Sequence, residues 1–433
     1  MILKNCRKII LQDAKRRILD NKSIVIDDET GTIQKICSSR QLPKERREAS
    51  EIIDCSDKLV MPGMINTHTH LPMSLFRGYC DNLTLHDWLE KMHVEERKLT
   101  KKHIYWGTKL GLLEAIQNGT TTVADFYHMP YERIKAFKEA GVKGFLDSSV
   151  MEEPFFHDTV SQALADAEKF IAEFKNDPML RPVATVHSIY LCSKETVEKV
   201  RDIAQKHEVL SRIHISETET EFRYSLKHYK KTPIEFLDSI NFLTPKTLAV
   251  HCNWATNKEI TILAKRGASV CHNPASNMKL AYGKAMPLKK MLAAGVNVAL
   301  ATDGATSNNT LDLFAEMKAC SLIQKFTSND SSIVHDRTIF DLTNINAAKA
   351  LHIERETGTI EPGKDADLIA IPMDKPQLYP LTRHNSLISH LVYCINGSDV
   401  SDVFVKGKHI MRDSEFLTLD KEKITDTVQH LME

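Results

Sequence analysis

The residues best suited to chemistry begin at His68-Thr-His70, which closes the apolar run MINTHTH. In an extended chain alternate side chains share a face, so the two imidazoles leave one strand end in the same direction and offer a pair of metal ligands. His187, His214, His251, His272 and Asp303 stand at the ends of other apolar, β-branched runs. Alone, each histidine reads equally as a hydrogen-bonded core residue, and Asp303-Gly304 as a turn. Six histidines and an aspartate at equivalent strand ends read together as one site.

A hydrolytic zinc centre needs three or four imidazole or carboxylate ligands and an open position for water, whose pKa the metal lowers to near neutrality. His68, His70, His214 and Asp303 are assigned as ligands, with His251 beside the water. The fourth strand ends without a lysine that could bridge two ions, so one divalent cation per subunit is expected, Zn2+ ahead of Fe2+. Glu217 lies three residues past His214, where strand gives way to loop. A carboxyl there can carry a proton without ligating the metal. Its alternative is a solvated side chain in the acidic run SETETE.

Strand ends converge only if the strands are parallel and closed. After 64–69, seven more strand-like runs follow, at 121–126, 142–148, 183–188, 211–216, 248–252, 268–272 and 296–302, separated by amphipathic helical segments such as ETVEKVRDIAQKH. This alternation predicts an α/β chain folded as a (β/α)8 TIM barrel, whose chemistry sits at the C-terminal ends of its strands. The long stretch 71–117 is expected to form a lid or rim over the mouth. Residues 1–57 and 362–433 alternate short apolar runs with turns, including a hairpin at Asp-Glu-Thr-Gly. They are expected to pair as one small β-sandwich domain, with the barrel, 58–361, inserted between its halves.

The totals narrow the partners. Lys plus Arg and Asp plus Glu number 57 each in 433 residues, so no strong field recruits nucleic acid or an anionic membrane. A small molecule found by a pocket is expected instead. The N-terminus lacks an uninterrupted apolar core, no run approaches a membrane span, and nine cysteines without paired short spacings suit a reducing cytoplasm.

The blocks PGMINTHTH, LFRGYCDNLTLHDWL, GTTTVADF, HSIYLCS, HISETE, HNPASNMKLAYG, ATDGATSNNTLDLFAEM and GTIEPGKDADL, in this order, resemble the amidohydrolase superfamily. Within it they resemble the ATZ/TRZ-like branch of aminohydrolases and chlorohydrolases that contains 5-methylthioadenosine/S-adenosylhomocysteine deaminases. The resemblance implies metal ligands at His68, His70, His214 and Asp303, catalytic roles for Glu217, His251 and Asp303, and substrate contacts from Trp88, Glu96, His187 and Glu217. Trp88 would line a nucleoside pocket and Glu96 would grip the ribose hydroxyls, although a core tryptophan and a surface glutamate fit those positions equally. It also implies hydrolytic deamination of an adenine nucleoside such as 5-methylthioadenosine, 5'-deoxyadenosine or adenosine, and a homo-oligomer. Relatives that accept a homocysteine tail tend to place arginine after the third strand. This chain has Ser148 and Ser149 there, which favours uncharged 5' groups over S-adenosylhomocysteine. The competing readings are hydrolysis of another amino-heterocycle, such as guanine, a pterin or a triazine, and a non-catalytic scaffold, which the full ligand set disfavours.

Overall fold

The computed structural model describes residues 1–42 and 49–433. Both chain termini build one mixed sheet. β1 (Ile2–Ile10), β2 (Ile18–Ile26) and β3 (Ile33–Ser38) form an antiparallel meander, and β4 (Ile52–Asp54) and β5 (Lys58–Pro62) run parallel to β1. The expected hairpin joins β2 to β3. Its Gly31 takes φ +71, and a Cβ there would lie 1.9 Å from the Lys406 carbonyl oxygen, so only glycine fits the turn.

Eight parallel strands follow: β6 (Met64–Thr69), β7 (Thr120–Asp125), β8 (Lys143–Leu146), β9 (Leu180–Ser188), β10 (Leu210–Ile215), β11 (Thr247–His251), β12 (Ser269–His272) and β13 (Val298–Leu300), paired in sequence order. Helices cover the outside, so most of these strands are buried along their whole length, as their continuous apolar runs require. The chain then returns to the first sheet through β14 (Leu368–Pro372), β15 (Asp402–Val405), β16 (Lys408–Arg412) and β17 (Glu415–Phe416), with β14 antiparallel to β5. The (β/α)8 barrel inserted in a terminal β-domain is therefore present.

The domain boundary differs from the one expected. Lys58–Pro62 pairs with β1 and β14, so it belongs to the terminal sheet, and we place the boundary at Gly63 in place of 57/58. A Cβ at Gly63 would come within 2.2 Å of the Thr121 side chain, which leaves only glycine at the crossing. Nor is 362–433 purely β: helices Leu387–Tyr393 and Lys421–Met432 pack on the barrel's own helices.

The barrel closes at a seam between β6 and β13 by side-chain and backbone hydrogen bonds. Asn66 donates to Thr302 Oγ1 (2.7 Å), Thr67 donates to the Leu300 carbonyl (3.0 Å), and the Asp303 amide donates to the His68 carbonyl (3.1 Å). These bonds hold the residue after β13 beside the end of β6. Below the mouth the interior is filled by Ile65, Ala124, Phe145, Val183, Leu248 and Val250, among others. Two fully buried arginines, Arg133 and Arg212, neutralise the equally buried Asp125 and Asp147, with N–O separations of 2.9 to 3.3 Å.

Candidate active site

Three imidazoles and one carboxylate meet at the seam. His68 Nε2 lies 3.2 Å from His214 Nε2 and 3.4 Å from Asp303 Oδ1, and His70 Nε2 lies 3.2 Å from the same oxygen. Bonds of about 2.0 to 2.1 Å at near-tetrahedral angles would separate ligand atoms by about 3.3 Å, so these gaps fit one cation. Hydrogen bonding has already chosen the tautomers. His70 Nδ1 faces the Phe126 carbonyl at 2.7 Å and His214 Nδ1 faces the His187 carbonyl at 3.0 Å. A carbonyl only accepts, so both Nδ1 atoms carry the proton and both Nε2 lone pairs face the centre. Burial drives His214 well below the usual imidazole range and lowers His68 to about 3, which keeps both rings neutral, as metal ligands must be. Asp303 is held well below the ordinary carboxylate range: burial opposes this, and His68 and His70 override it. His68, His70 and His214 thus form a group able to hold a metal ion, with Asp303 against it.

Asp303 is aimed by its surroundings. Its φ is +62, a left-handed conformation that a non-glycine residue keeps only when neighbours enforce it. Ser276 donates to its Oδ2 at 2.6 Å. Buried Glu316 accepts from the Ala275 amide (3.1 Å) and from Asn308 (2.6 Å), which ties together the two loops around it.

Two further groups flank the centre. His251 ends β11 with φ +76, and its Nδ1 lies 2.9 Å from Asn277 Oδ1. The Asn277 amide is oriented by its donation to Asn253 at 2.9 Å, so its oxygen faces His251 and the imidazole Nε2 is left to face the cleft. That Nε2 lies 3.4 Å from Glu217 Oε1, while the Tyr190 hydroxyl approaches the other Glu217 oxygen at 3.5 Å. A carboxyl group and an imidazole therefore stand side by side at the edge of the histidine cluster.

Above them opens a cleft lined by Trp88, Glu96, Tyr127, His187, Tyr190 and Tyr282 among others. The long segment after β6 supplies one wall, as a rim would. In helix Leu85–Glu96 the residues Leu85, Trp88, Leu89, His93 and Glu96 recur at helical spacing and all face the cleft. Thr84 caps this helix by accepting from the Asp87 amide. Trp88 is buried on the cleft wall. Glu96 is only 7% exposed and accepts from the Tyr127 hydroxyl at 2.6 Å; burial pushes its carboxyl up to about 7. His187 lines the cleft with its ring centroid 4.8 Å from that of His214, and burial keeps it neutral.

The structure thus gathers every proposed site residue at one mouth. His272 differs: it ends β12 as expected, but its buried ring lines a second, separate cleft. Sequence reasoning missed Tyr127, Tyr190 and Tyr282, which line the main cleft, and Asn277, which aims His251. Tyr127 and Tyr190 each fall within three residues of a strand end, which was a usable signal; Asn277 carried none.

The profile of the amidohydrolase family matches residues 59–410, from β5 through the barrel and back into the terminal sheet. A 5'-deoxyadenosine deaminase of Methanocaldococcus jannaschii is 39% identical over 403 residues, covering 92% of this chain and 94% of the relative. A 5-methylthioadenosine/S-adenosylhomocysteine deaminase of Pyrococcus furiosus is 39% identical over 420 residues, covering 96% and 97%. Among solved structures, an adenosine deaminase from Xanthomonas campestris with bound zinc superposes with a TM-score of 0.92 at 27% identity, covering 99% of this chain and 97% of that one. Spanned almost end to end by these relatives, the chain belongs to the amidohydrolase family.

Proposed function

We propose that the chain is a metal-dependent hydrolytic deaminase of adenine nucleosides, acting on 5-methylthioadenosine, 5'-deoxyadenosine or adenosine ahead of S-adenosylhomocysteine, and releasing ammonia and the inosine analogue. One observation carries the reading: His68, His70, His214 and Asp303 converge beside Glu217 and His251 at the floor of a cleft whose wall presents Trp88 and Glu96. The curated relatives that carry deaminase names support it.

One divalent cation per subunit would be held by His68, His70, His214 and Asp303; zinc is the first choice and ferrous iron the second, and when bound it makes water nucleophilic near neutral pH. The chain's own groups do the rest. Glu217 delivers a proton to the ring nitrogen beside the amino-bearing carbon, which makes that carbon a better electrophile. His251 Nε2 orients the incoming water. Asp303 takes one proton of the water and passes it to the amino group; the carbon–nitrogen bond breaks, ammonia departs, and the remaining hydroxyl proton restores Glu217 as the ring carbonyl forms. Trp88 offers a face to the base and Glu96 its oxygens to the ribose hydroxyls, while neutral His187 contacts the bound molecule.

The 5' group would face the loop after β8, where Ser149 lines the cleft. Arg97, just past helix Leu85–Glu96, is not among the residues that line this cleft; it pairs with Glu153 at 3.3 Å and stacks on Phe155. This supports uncharged 5' groups over an amino acid tail. A cytoplasmic homo-oligomer completes the reading, and no helix among the described residues is long and apolar enough to cross a membrane.

The test is ammonia release from a panel of adenine nucleosides with different 5' groups, together with guanine, a pterin and triazines. Turnover of at least one adenine nucleoside is expected, fastest with an uncharged 5' group. Turnover confined to the other heterocycles would overturn the assignment.

A further inference from the structure

The acidic run after β10, SETETE, is not a solvated loop throughout. Glu221 is 2% exposed and faces inward from the first turn of helix Glu219–Tyr229. Its two oxygens accept from consecutive backbone amides, those of Ser216 (3.1 Å) and Glu217 (2.7 Å). Ser216 takes φ +51, and this left-handed residue turns the two N–H groups to one side, making a concave nest of the kind that holds anions. Burial pushes the Glu221 carboxyl up to about 8, against the pull of the two amides.

The contact does not serve the helix to which Glu221 belongs. Ser216 and Glu217 precede its capping residue Thr218, whose hydroxyl oxygen accepts from the Glu221 amide at 3.2 Å. What the nest fixes is the turn between His214 and Glu217. The far side of that turn is pinned by the Trp254 amide donating to the Ser216 carbonyl at 2.8 Å, and by the Cys252 amide donating to the Ile215 carbonyl at 3.0 Å. From the held turn, the Glu217 side chain reaches His251 and Tyr190.

We propose that Glu221 is a positioning residue for Glu217: its carboxyl group fills the nest made by residues 216 and 217 and so fixes the torsion from which Glu217 meets His251 and the substrate. The inference rests on the reading of Glu217 as the proton carrier. Glutamine at 221 would supply one acceptor oxygen and set an NH2 against the second amide. Alanine would leave both buried amides without that partner and the turn at Ser216 held only from its far side.

The experiment compares E221Q and E221A with the unaltered enzyme on whichever amino-heterocycle it hydrolyses fastest. A failure of the nucleoside assignment therefore shows in the unaltered enzyme and leaves this comparison intact. Both variants should lose about tenfold or more in kcat, with KM and bound metal little changed. Formate, a carboxylate small enough to enter the vacated nest, should restore part of the loss in E221A, and formamide should not. E221Q is isosteric and carries the test if E221A does not fold; its crystal structure should show the Glu217 carboxylate turned away from His251. A kcat within about twofold of the unaltered enzyme in E221Q would overturn the proposal, and so would a loss that merely tracks lost metal or a lowered melting temperature.

Discussion

Replacing Glu96 by glutamine should stabilise the protein at neutral and alkaline pH while damaging the site. Burial pushes this carboxyl up to about 7 from 4.5, although the hydrogen bond from the Tyr127 hydroxyl pulls the other way. Between those two values the folded chain holds a proton that the unfolded chain has released. Stability therefore falls as pH rises from about 4.5 to about 7, and the full cost persists above that. The gap corresponds to about 3 kcal/mol. Glutamine cannot ionise, yet it keeps an oxygen for the Tyr127 hydroxyl, so E96Q escapes the cost without leaving that donor unpaired. Unfolding entropy of roughly 2.1 cal/mol/K per residue gives about 0.9 kcal/mol/K for this length, so E96Q should melt about 3 °C above the unaltered protein at about pH 8 and less than about 1 °C above it at about pH 5. Differential scanning fluorimetry across that range measures the difference. Steady-state kinetics on the same samples should show KM for the nucleoside raised about tenfold or more, because the ribose hydroxyls lose a charged acceptor, with kcat affected less. A melting difference that is flat with pH, or that favours the unaltered protein at alkaline pH, would refute the picture of a buried carboxyl whose ionisation costs stability.

Glu217→Gln should lower kcat by about 100- to 10,000-fold while bound metal and melting temperature stay unchanged, checked by ammonia release and metal analysis. Ser276→Ala removes the 2.6 Å hydrogen bond to Asp303 and should cost about tenfold in kcat/KM, with little change in stability. Arg212→Met strips the charge that neutralises Asp147 and the donors to the Ala124 and Asp125 carbonyls, all fully buried. It should destabilise by about 3 to 5 kcal/mol, read as a lower denaturant midpoint.

The parts of the site that follow from strand periodicity were legible in the sequence. His68 and His70 share a face because side chains alternate along β6, and His214, His251 and Asp303 could be placed because parallel strands in a barrel end together. The barrel itself could be read because strands covered by helices leave unbroken apolar runs. What sequence did not disclose depends on contacts between distant segments. Glu221 looks like its exposed neighbours in SETETE, and only the turn at Ser216 makes it the acceptor of two buried amides. The boundary at Gly63 was missed because β5 is as apolar as a barrel strand, and only its pairing with β14 assigns it to the terminal sheet. His272 ends its strand like the others, but it lines a separate cleft and not the main one, and strand-end position alone cannot tell the two apart.

The central claim is that His68, His70, His214 and Asp303 hold one cation, and metal analysis of the purified protein paired with an activity titration tests it most directly. About one equivalent of zinc or iron per chain is expected, with hydrolysis lost on chelation and restored by adding metal back, and neither in His214→Ala. Less than about half an equivalent, with no activity gained from zinc, iron or manganese, would contradict it.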